Sequence, residues 1–169
     1  MAVILGRSDI LKISQDLNEM LNNQVNKEFE NVLKYKKLES YYDSMGLVGI
    51  AKIFAGQVSE EFNHANQIID YINTRLGGEY IPENVEAPDF EVLSPQHGAE
   101  LFLEAEVETS EELQYIADYI YQSHSYMDIN FIQTMLGYQI TEEMEAELLL
   151  QRVNGVNDIF LFDSSLESD

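Results

Sequence analysis

The sequence contains no cysteine, which excludes disulfide bonds, thiolate metal ligands and cysteine nucleophiles. Only three prolines interrupt the 169 residues, so long uninterrupted helices are possible. Basic residues are also scarce, because 9 lysines and arginines stand against 31 acids and give a net charge of −22. Such a surface repels nucleic-acid phosphates and anionic membranes and attracts cations, although it also serves solubility alone. We therefore expect neither nucleic acid nor a membrane as a partner.

Long apolar runs are missing as well. No run approaches the length of a membrane span, and the opening MAVIL is too short for the apolar region of a signal peptide. These absences predict a cytoplasmic protein. The hydrophobic content of 45% suits one globular domain with a sizeable core, and we expect a single domain over 1–169.

Helix-breaking residues divide the chain into four long segments with helical spacing of apolar residues. We expect helices from about Ser8 or Ser14 to 43, and over 47–76, 94–124 and 128–154. Asp128 is a candidate cap for the fourth helix, and Gly155 is expected to stop it. No segment alternates in a way that favours a sheet, so the sequence predicts an all-α fold.

The connections between these helices predict their topology. The first and second helices, and likewise the third and fourth, are joined by only a few residues, so each pair must be antiparallel. The segment GGEYIPENVEAPDFEVL between the second and third is long enough to cross the whole bundle. One long crossover between two antiparallel hairpins is the ferritin-like arrangement of a four-helix bundle, predicted here over about 8–154.

Polar residues interrupt the apolar stripe of each predicted helix. In EEFNHANQIIDYI, Phe62, Ala65 and Ile68 have the spacing of a buried face. Glu61 and His64 lie three residues apart and share that face with Ala65 and Ile68. The stripes of the other helices are interrupted at similar depth by Glu28, by Glu106, and by Gln139 with Glu142.

Such interruptions are costly unless something binds them. A lone acid on an apolar stripe is usually an edge residue or a satisfied polar group, since an isolated buried carboxylate costs several kcal/mol. Four interruptions on four helices can instead converge and offset one another if cations lie between them. Carboxylate oxygens with one imidazole suit iron or manganese, and two such ions can share a bridging carboxylate.

Di-iron bundles have a matching pattern, in which two helices each carry a Glu and the other two each carry a Glu-x-x-His pair. Glu28 and Glu106 are the single acids here, and Glu61 with His64 forms one pair. The second pair is Gln139-x-x-Glu142, which keeps the spacing but contains no histidine. We therefore expect the second metal to be held more weakly than the first.

Three segments, LNNQVNKEFENVLKY, SEEFNHANQIIDYI and NFIQTMLGYQITEEME, resemble helix motifs of the non-haem bacterial ferritins. The resemblance implies that a first iron is held by Glu28, Glu61 and His64. It implies that a second is held by Glu61, Glu106 and Glu142, with Gln139 beside it as a hydrogen-bonding group or weak ligand. Tyr35 matches the family's nearby tyrosine, which either donates an electron during iron oxidation or fills the core and hydrogen-bonds a ligand carboxylate.

The family resemblance also implies an activity and an assembly. A non-haem bacterial ferritin is a hollow homo-oligomeric cage of 24 subunits that acts as a ferroxidase. It oxidises Fe(II) with O2 or H2O2 at its intrasubunit diiron centre and stores the product as ferric mineral. The tail VNDIFLFDSSLESD, within 155–169, resembles the segment that forms a short fifth helix. These properties are expectations carried by the resemblance.

Two features of the family are not expected here. Haem-binding bacterioferritins carry a haem-ligating methionine where this chain has Phe62, so no haem is expected. Many bacterial ferritins have a third iron site, and Glu60 matches one of its positions. Tyr138 and Thr141 occupy two others, so no well-occupied third site is expected.

A function of another class remains open at this point. A non-catalytic acidic bundle could buffer divalent cations or only form a shell. Such a protein needs acids on its surface and has no reason to place Glu28, Glu61, Glu106 and Glu142 on core stripes. The depth of these carboxylates therefore distinguishes the two functions.

Overall fold

Helices dominate the part of the chain that the structure, a computed structural model, describes, which is residues 11–166. The helices are α1 (Gln15–Ser44), α2 (Val48–Thr74), α3 (Pro95–Gln122), α4 (Ile129–Gly155) and α5 (Ile159–Leu166). Over these residues the one β pairing is an isolated bridge between Lys12 and Leu76, so the predicted all-α fold is confirmed. None of the helices in this range is apolar enough over a sufficient length to cross a membrane.

Side-chain caps determine where α1 and α3 begin. The Ser14 hydroxyl accepts a hydrogen bond from the Leu17 amide at 3.1 Å, and Ser94 accepts one from the His97 amide at 3.1 Å. Pro95 takes the first position of α3, where the missing amide hydrogen costs no hydrogen bond. The first helix therefore starts after Ser14, whereas the alternative start at Ser8 lies outside the described residues.

Two predicted helix ends differ from the structure in detail. Asp128 precedes α4, but its side chain makes no capping hydrogen bond. Its buried carboxylate instead pairs with Arg75 at 2.9 Å and accepts a hydrogen bond from Tyr71, because these partners offer stronger interactions than the helix amides. Gly155 is the last residue of α4 and not the residue that follows it, and the backbone becomes extended at Val156.

The four long helices form two antiparallel hairpins. α1 packs along α2, and α3 packs along α4. The first hairpin turns at Gly46, whose φ of +75° is a conformation that glycine adopts without strain. The second turns at His124, which has a φ of +55°. The predicted pairing of helices is therefore confirmed.

The crossover over residues 75–94 runs beside α1. Near one end of α1 the Asn22 side chain accepts a hydrogen bond from the Ile81 amide at 2.7 Å. Nearer the other end the Lys37 ammonium donates to the Pro88 carbonyl at 3.2 Å. These contacts are separated by about 22 Å of helix. The segment thus spans the bundle as predicted and joins the two hairpins.

The short helix α5 is held by a contact with the start of α2. The residue before α2, Leu47, provides no side-chain cap. The buried carboxylate of Asp163 supplies it, accepting hydrogen bonds from the amides of Gly49 at 3.1 Å and Ile50 at 2.7 Å. A Cβ at Gly49 would lie 2.4 Å from the Asp163 carbonyl oxygen, so this approach requires glycine. The predicted C-terminal helix is confirmed.

The apolar core has two parts, one toward each end of the bundle. One part is built from Leu17, Leu21, Val25, Ala65, Ile68, Ile72, Leu113, Ile116, Ile132 and Met135. The other is built from Tyr35, Leu38, Tyr42, Phe54, Phe102, Ala146, Leu149 and Val153. A buried polar layer separates the two parts along every long helix. This layer contains the candidate site.

Candidate metal centre

The polar layer brings together side chains from all four long helices. Each of the six predicted ligands is buried, with His64 the most exposed at 8%. They are Glu28 on α1, Glu61 and His64 on α2, Glu106 on α3, and Gln139 and Glu142 on α4. The predicted convergence of acids from four stripes is therefore present in the fold, well below the surface.

Glu28, Glu61 and His64 form the most compact group in the layer. One possible ligand atom from each residue lies within 4.8 Å of those of the other two. The His64 imidazole lies 3.6 Å from Glu61 through Nδ1 and 3.4 Å from Glu142 through Nε2. Oxygen Oε2 of Glu28 and of Glu61 is buried without a hydrogen-bond partner among residues 11–166. Two such oxygens beside an imidazole fit a bound cation, because an unpaired buried oxygen is otherwise costly.

The other half of the layer is organised by hydrogen bonds to Glu106. The Tyr35 hydroxyl donates to its Oε1 at 2.5 Å, and the Gln139 amide donates to its Oε2 at 2.6 Å. Each oxygen retains a lone pair after accepting one hydrogen bond. Glu106 can therefore still bind a cation, and its orientation is set by residues of α1 and α4.

Burial raises the pKa of every carboxyl group in the layer. Loss of hydration, with repulsion from Glu61 added, raises the pKa of Glu28 well above its usual range. Loss of hydration is also the largest cause for Glu61 and Glu142, whose pKa values rise to about 8, and for Glu106, whose pKa is raised. A cation that binds here displaces protons and offsets the repulsion among the acids.

Two buried glutamines outside the predicted set lie close in sequence to the predicted ligands, and one of them, Gln24, supports a ligand directly. Gln24, 2% exposed, donates to Oε1 of Glu28 at 2.7 Å and leaves Oε2 available. Gln57, buried as well, donates to Glu60 at 3.1 Å. Each lies four residues before a predicted ligand, Glu28 or Glu61. That spacing on one helical face was a signal in the sequence that could have found Gln24, whereas Gln57 makes its hydrogen bond to Glu60 and not to Glu61.

Phe62 lies outside the buried stripe to which the helical spacing assigned it. Its side chain is 52% exposed and packs edge to face on Phe29 with ring centroids 5.9 Å apart. It follows Glu61 directly, and consecutive residues in a helix point about 100° apart. The assignment of Phe62 to the core face was therefore wrong, whereas Ala65 and Ile68 are fully buried.

Tyr138 lies flat against the imidazole of His64, with ring centroids 5.2 Å apart and planes 11° apart. The sequence marked Tyr138 only as a departure from the family's third iron site, and its position off the apolar stripe carried no signal of this contact. Tyr138, Glu60 and Thr141 line a cavity of about 340 Å³ beside His64. Glu142 and Glu145 also line this cavity, and the absence of a third iron site stays a prediction.

Sequence comparisons find known proteins that are similar to this chain. A family model described as a ferritin-like domain matches residues 18–156. A bacterial non-haem ferritin of Staphylococcus haemolyticus is 28% identical over 159 residues, which cover 91% of this chain and 95% of that protein. A probable bacterial non-haem ferritin-like protein of Haemophilus influenzae is 25% identical over 158 residues, with the same shares covered.

Solved structures show the same fold along nearly the whole chain. A humanized archaeal ferritin has a TM-score of 0.88 and 27% identity, over 94% of this chain and 99% of that one. An open-pore ferritin from the archaeon Archaeoglobus fulgidus has a TM-score of 0.86 and 29% identity, over 93% and 98%. The chain therefore belongs to the non-haem bacterial ferritin family, and its family and fold support a role in iron storage.

Proposed function

We propose that this chain is a ferroxidase that binds two Fe(II) ions in the polar layer, oxidises them to Fe(III) and delivers the product to a ferric mineral. The observation that carries the proposal is a pair of buried carboxylate oxygens on Glu28 and Glu61, beside His64, that have no hydrogen-bond partner in the described part of the chain. A buffer of divalent cations has no need for acids at this depth. Iron fits the mixed oxygen and imidazole donors.

The two substrate ions would use different ligands. Glu28, Glu61 and His64 would hold the first ion, and Glu61, Glu106 and Glu142 the second, with Gln139 beside it. Glu61 is the proposed bridge between them. Its pKa is raised by the charges of Glu106 and Glu142 in addition to its burial, so its carboxylate lies within electrostatic reach of the second half of the layer. Its Oε2, which has no hydrogen-bond partner among residues 11–166, lies 3.6 Å from the His64 imidazole in the first half.

The chain's contribution to the chemistry is placement. Two Fe(II) ions held side by side can each give one electron to the same O2 or H2O2 molecule, so the oxidant is reduced in a two-electron step. Gln24 and Gln139 orient the ligand carboxylates by hydrogen bonds at 2.7 Å and 2.6 Å. The surrounding apolar clusters exclude bulk water, which strengthens the attraction between the carboxylates and the cations.

Tyr35 has the geometry of a residue that positions Glu106. It is fully buried, and its ring packs edge to face on Phe102 with centroids 5.2 Å apart. Its hydroxyl donates to Glu106 at 2.5 Å. This arrangement supports the alternative in which Tyr35 fills core space and orients a ligand. Its role as an electron donor in iron oxidation stays a hypothesis.

The experiment that tests the proposed function is aerobic addition of Fe(II) to the metal-free protein at two ions per chain. O2 consumption and ferric absorbance should both rise faster than for the same iron in buffer. Zn(II) added before iron should compete for the carboxylates and imidazole and slow both signals. An oxidation rate equal to that in buffer would favour the non-catalytic bundle.

We further propose that the protein assembles as a closed shell of 24 copies of the 19.4 kDa chain. Large apolar side chains are exposed on the single chain, including Ile140 at 74% and Leu161 at 73%. Such surfaces favour contacts between subunits. Size-exclusion chromatography with light scattering should give one particle with the mass of 24 chains. A uniform dimer or a particle of twelve subunits would contradict the proposal.

At limiting metal, the first site should fill before the second. His64 lies in the compact group with Glu28 and Glu61, and an imidazole is a stronger ligand for iron or zinc than the amide of Gln139. Anomalous scattering from crystals soaked briefly in metal should therefore show higher occupancy beside His64. Higher occupancy at Glu106 and Glu142, or a strong third peak beside Glu60, would contradict this order.

A further inference from the structure

We propose that Tyr138 is a one-electron donor to the first iron site, acting through the imidazole of His64 when that site alone is filled and H2O2 is the oxidant. This inference rests on the proposed function. A single Fe(II) provides one of the two electrons that reduce H2O2 to water, and Tyr138 would supply the second.

The stacking of the two rings carries the inference. The Tyr138 and His64 rings are nearly parallel at 11°, with centroids 5.2 Å apart, so the phenol is in contact with the only histidine among the proposed ligands. An electron leaving Tyr138 therefore passes through a single aromatic ring before it reaches an iron bound by His64. Phe62 and Phe29, which also pack against each other between α1 and α2, contain no group that is oxidised as easily as a phenol.

The position of Tyr138 also suits proton release. Its side chain is 38% exposed, and it lines the cavity of about 340 Å³ together with Glu60 and Glu142. The phenolic proton can therefore leave for solvent as the electron leaves. Tyr35 differs, because it is fully buried and its hydroxyl donates to Glu106 inside the acid layer. The two tyrosines thus serve the centre in different ways.

The asymmetry of the two sites creates the need for such a donor. At limiting iron the first site fills first, and a lone Fe(II) provides only one of the two electrons that H2O2 requires. One-electron reduction of H2O2 breaks its O–O bond to give hydroxide and a hydroxyl radical. With the phenol as co-reductant, Fe(II), one tyrosine, H2O2 and one proton give Fe(III), a neutral tyrosyl radical and two waters. One electron comes from iron and one from Tyr138, whose proton completes the water.

The test uses the assembled protein loaded anaerobically with one Fe(II) per chain and then mixed with H2O2. Rapid-freeze electron paramagnetic resonance measures the tyrosyl radical, and a spin trap measures the hydroxyl radical. In Tyr138→Phe the ring still stacks but cannot form a tyrosyl radical. We expect the tyrosyl signal of this variant to fall by more than half and its hydroxyl-radical adduct to rise severalfold. Tyr138→Leu, which removes both the ring and the phenol, should give the same changes.

The control variant is Tyr115→Phe, because Tyr115 is 65% exposed on α3 and is not part of the metal centre. It should match the wild type in both signals. If Tyr138→Phe also matches the wild type, Tyr138 serves only as packing and the inference is wrong. Aerobic oxidation by the wild-type protein with two Fe(II) per chain distinguishes failure of this inference from failure of the proposed function. Normal oxidation there with unchanged radicals in Tyr138→Phe would overturn only this inference, whereas no oxidation would overturn the proposed function and the inference together.

Discussion

Glu61→Ala and His64→Ala are each expected to abolish rapid Fe(II) oxidation while the helical fold remains intact. Glu61 is the proposed bridge between the two ions, and His64 is the only nitrogen ligand that the layer offers. Changes in groups that merely orient metal ligands typically cost about 10–100-fold in affinity or activity, so loss of a direct ligand should exceed that range. Stopped-flow absorbance after mixing with aerobic Fe(II) measures the rate, and far-ultraviolet circular dichroism checks the fold.

Glu104→Ala provides the matched control for these ligand variants. Glu104 is an exposed glutamate on α3, close in sequence to Glu106 but outside the buried layer. Its loss removes one negative charge without touching the site, so its kinetics should follow the wild type. Wild-type kinetics in Glu61→Ala or His64→Ala would show that iron is oxidised elsewhere in the molecule.

The metal-free protein is expected to lose stability as the pH rises from about 5 to about 8, and Fe(II) should restore it. The pKa values of Glu61 and Glu142 rise from an ordinary 4.5 to about 8 in the folded chain, mainly because burial removes their hydration. Between these values the folded state retains protons that the unfolded state has released. Stability is therefore greatest below the unfolded pKa and falls as the pH rises through the window. The melting temperature should fall by about 2–4 °C for each kcal/mol lost.

Substitutions within the layer test the origin of this pH dependence. Glu142→Gln removes one of the carboxyl groups whose deprotonation is costly, so its melting temperature should depend less on pH than that of the wild type. Glu104→Gln, on the surface, should leave the slope unchanged. Anaerobic Fe(II) should raise the melting temperature of the wild type most strongly near neutral pH, because the metal binds the folded state and offsets the repulsion. If added Fe(II) does not change the melting temperature, the premise of a buried metal site is wrong.

The helices and the polar residues that the fold buries could be predicted because their signals are local. Ser94 and Pro95 begin α3 through interactions with the next few residues, which any context allows. Glu61 and His64 share a face because a helix repeats every 3.6 residues, wherever the helix packs. The acids of the four stripes have to meet for the same reason, since each lies between apolar residues that must all face one interior.

Contacts between distant parts of the chain could not be predicted in the same way. Asp128 had the chemistry of a helix cap, yet the fold places Tyr71 and Arg75 beside its carboxylate. Asp163 caps α2 from more than a hundred residues away, a pairing that no sequence period encodes. Both outcomes depend on which groups the folded chain brings within hydrogen-bond distance of a carboxylate.

The sequence by itself determined the all-α architecture, the crossover and the identities of the buried polar residues, because period, connection length and residue chemistry are properties of single segments. Tertiary structure alone decided the hydrogen bonds that orient Glu106 and the stacking of Tyr138 on His64. These depend on the rotation of each helix about its axis and on the separation of neighbouring helices. The packing of side chains from all four helices sets those two quantities.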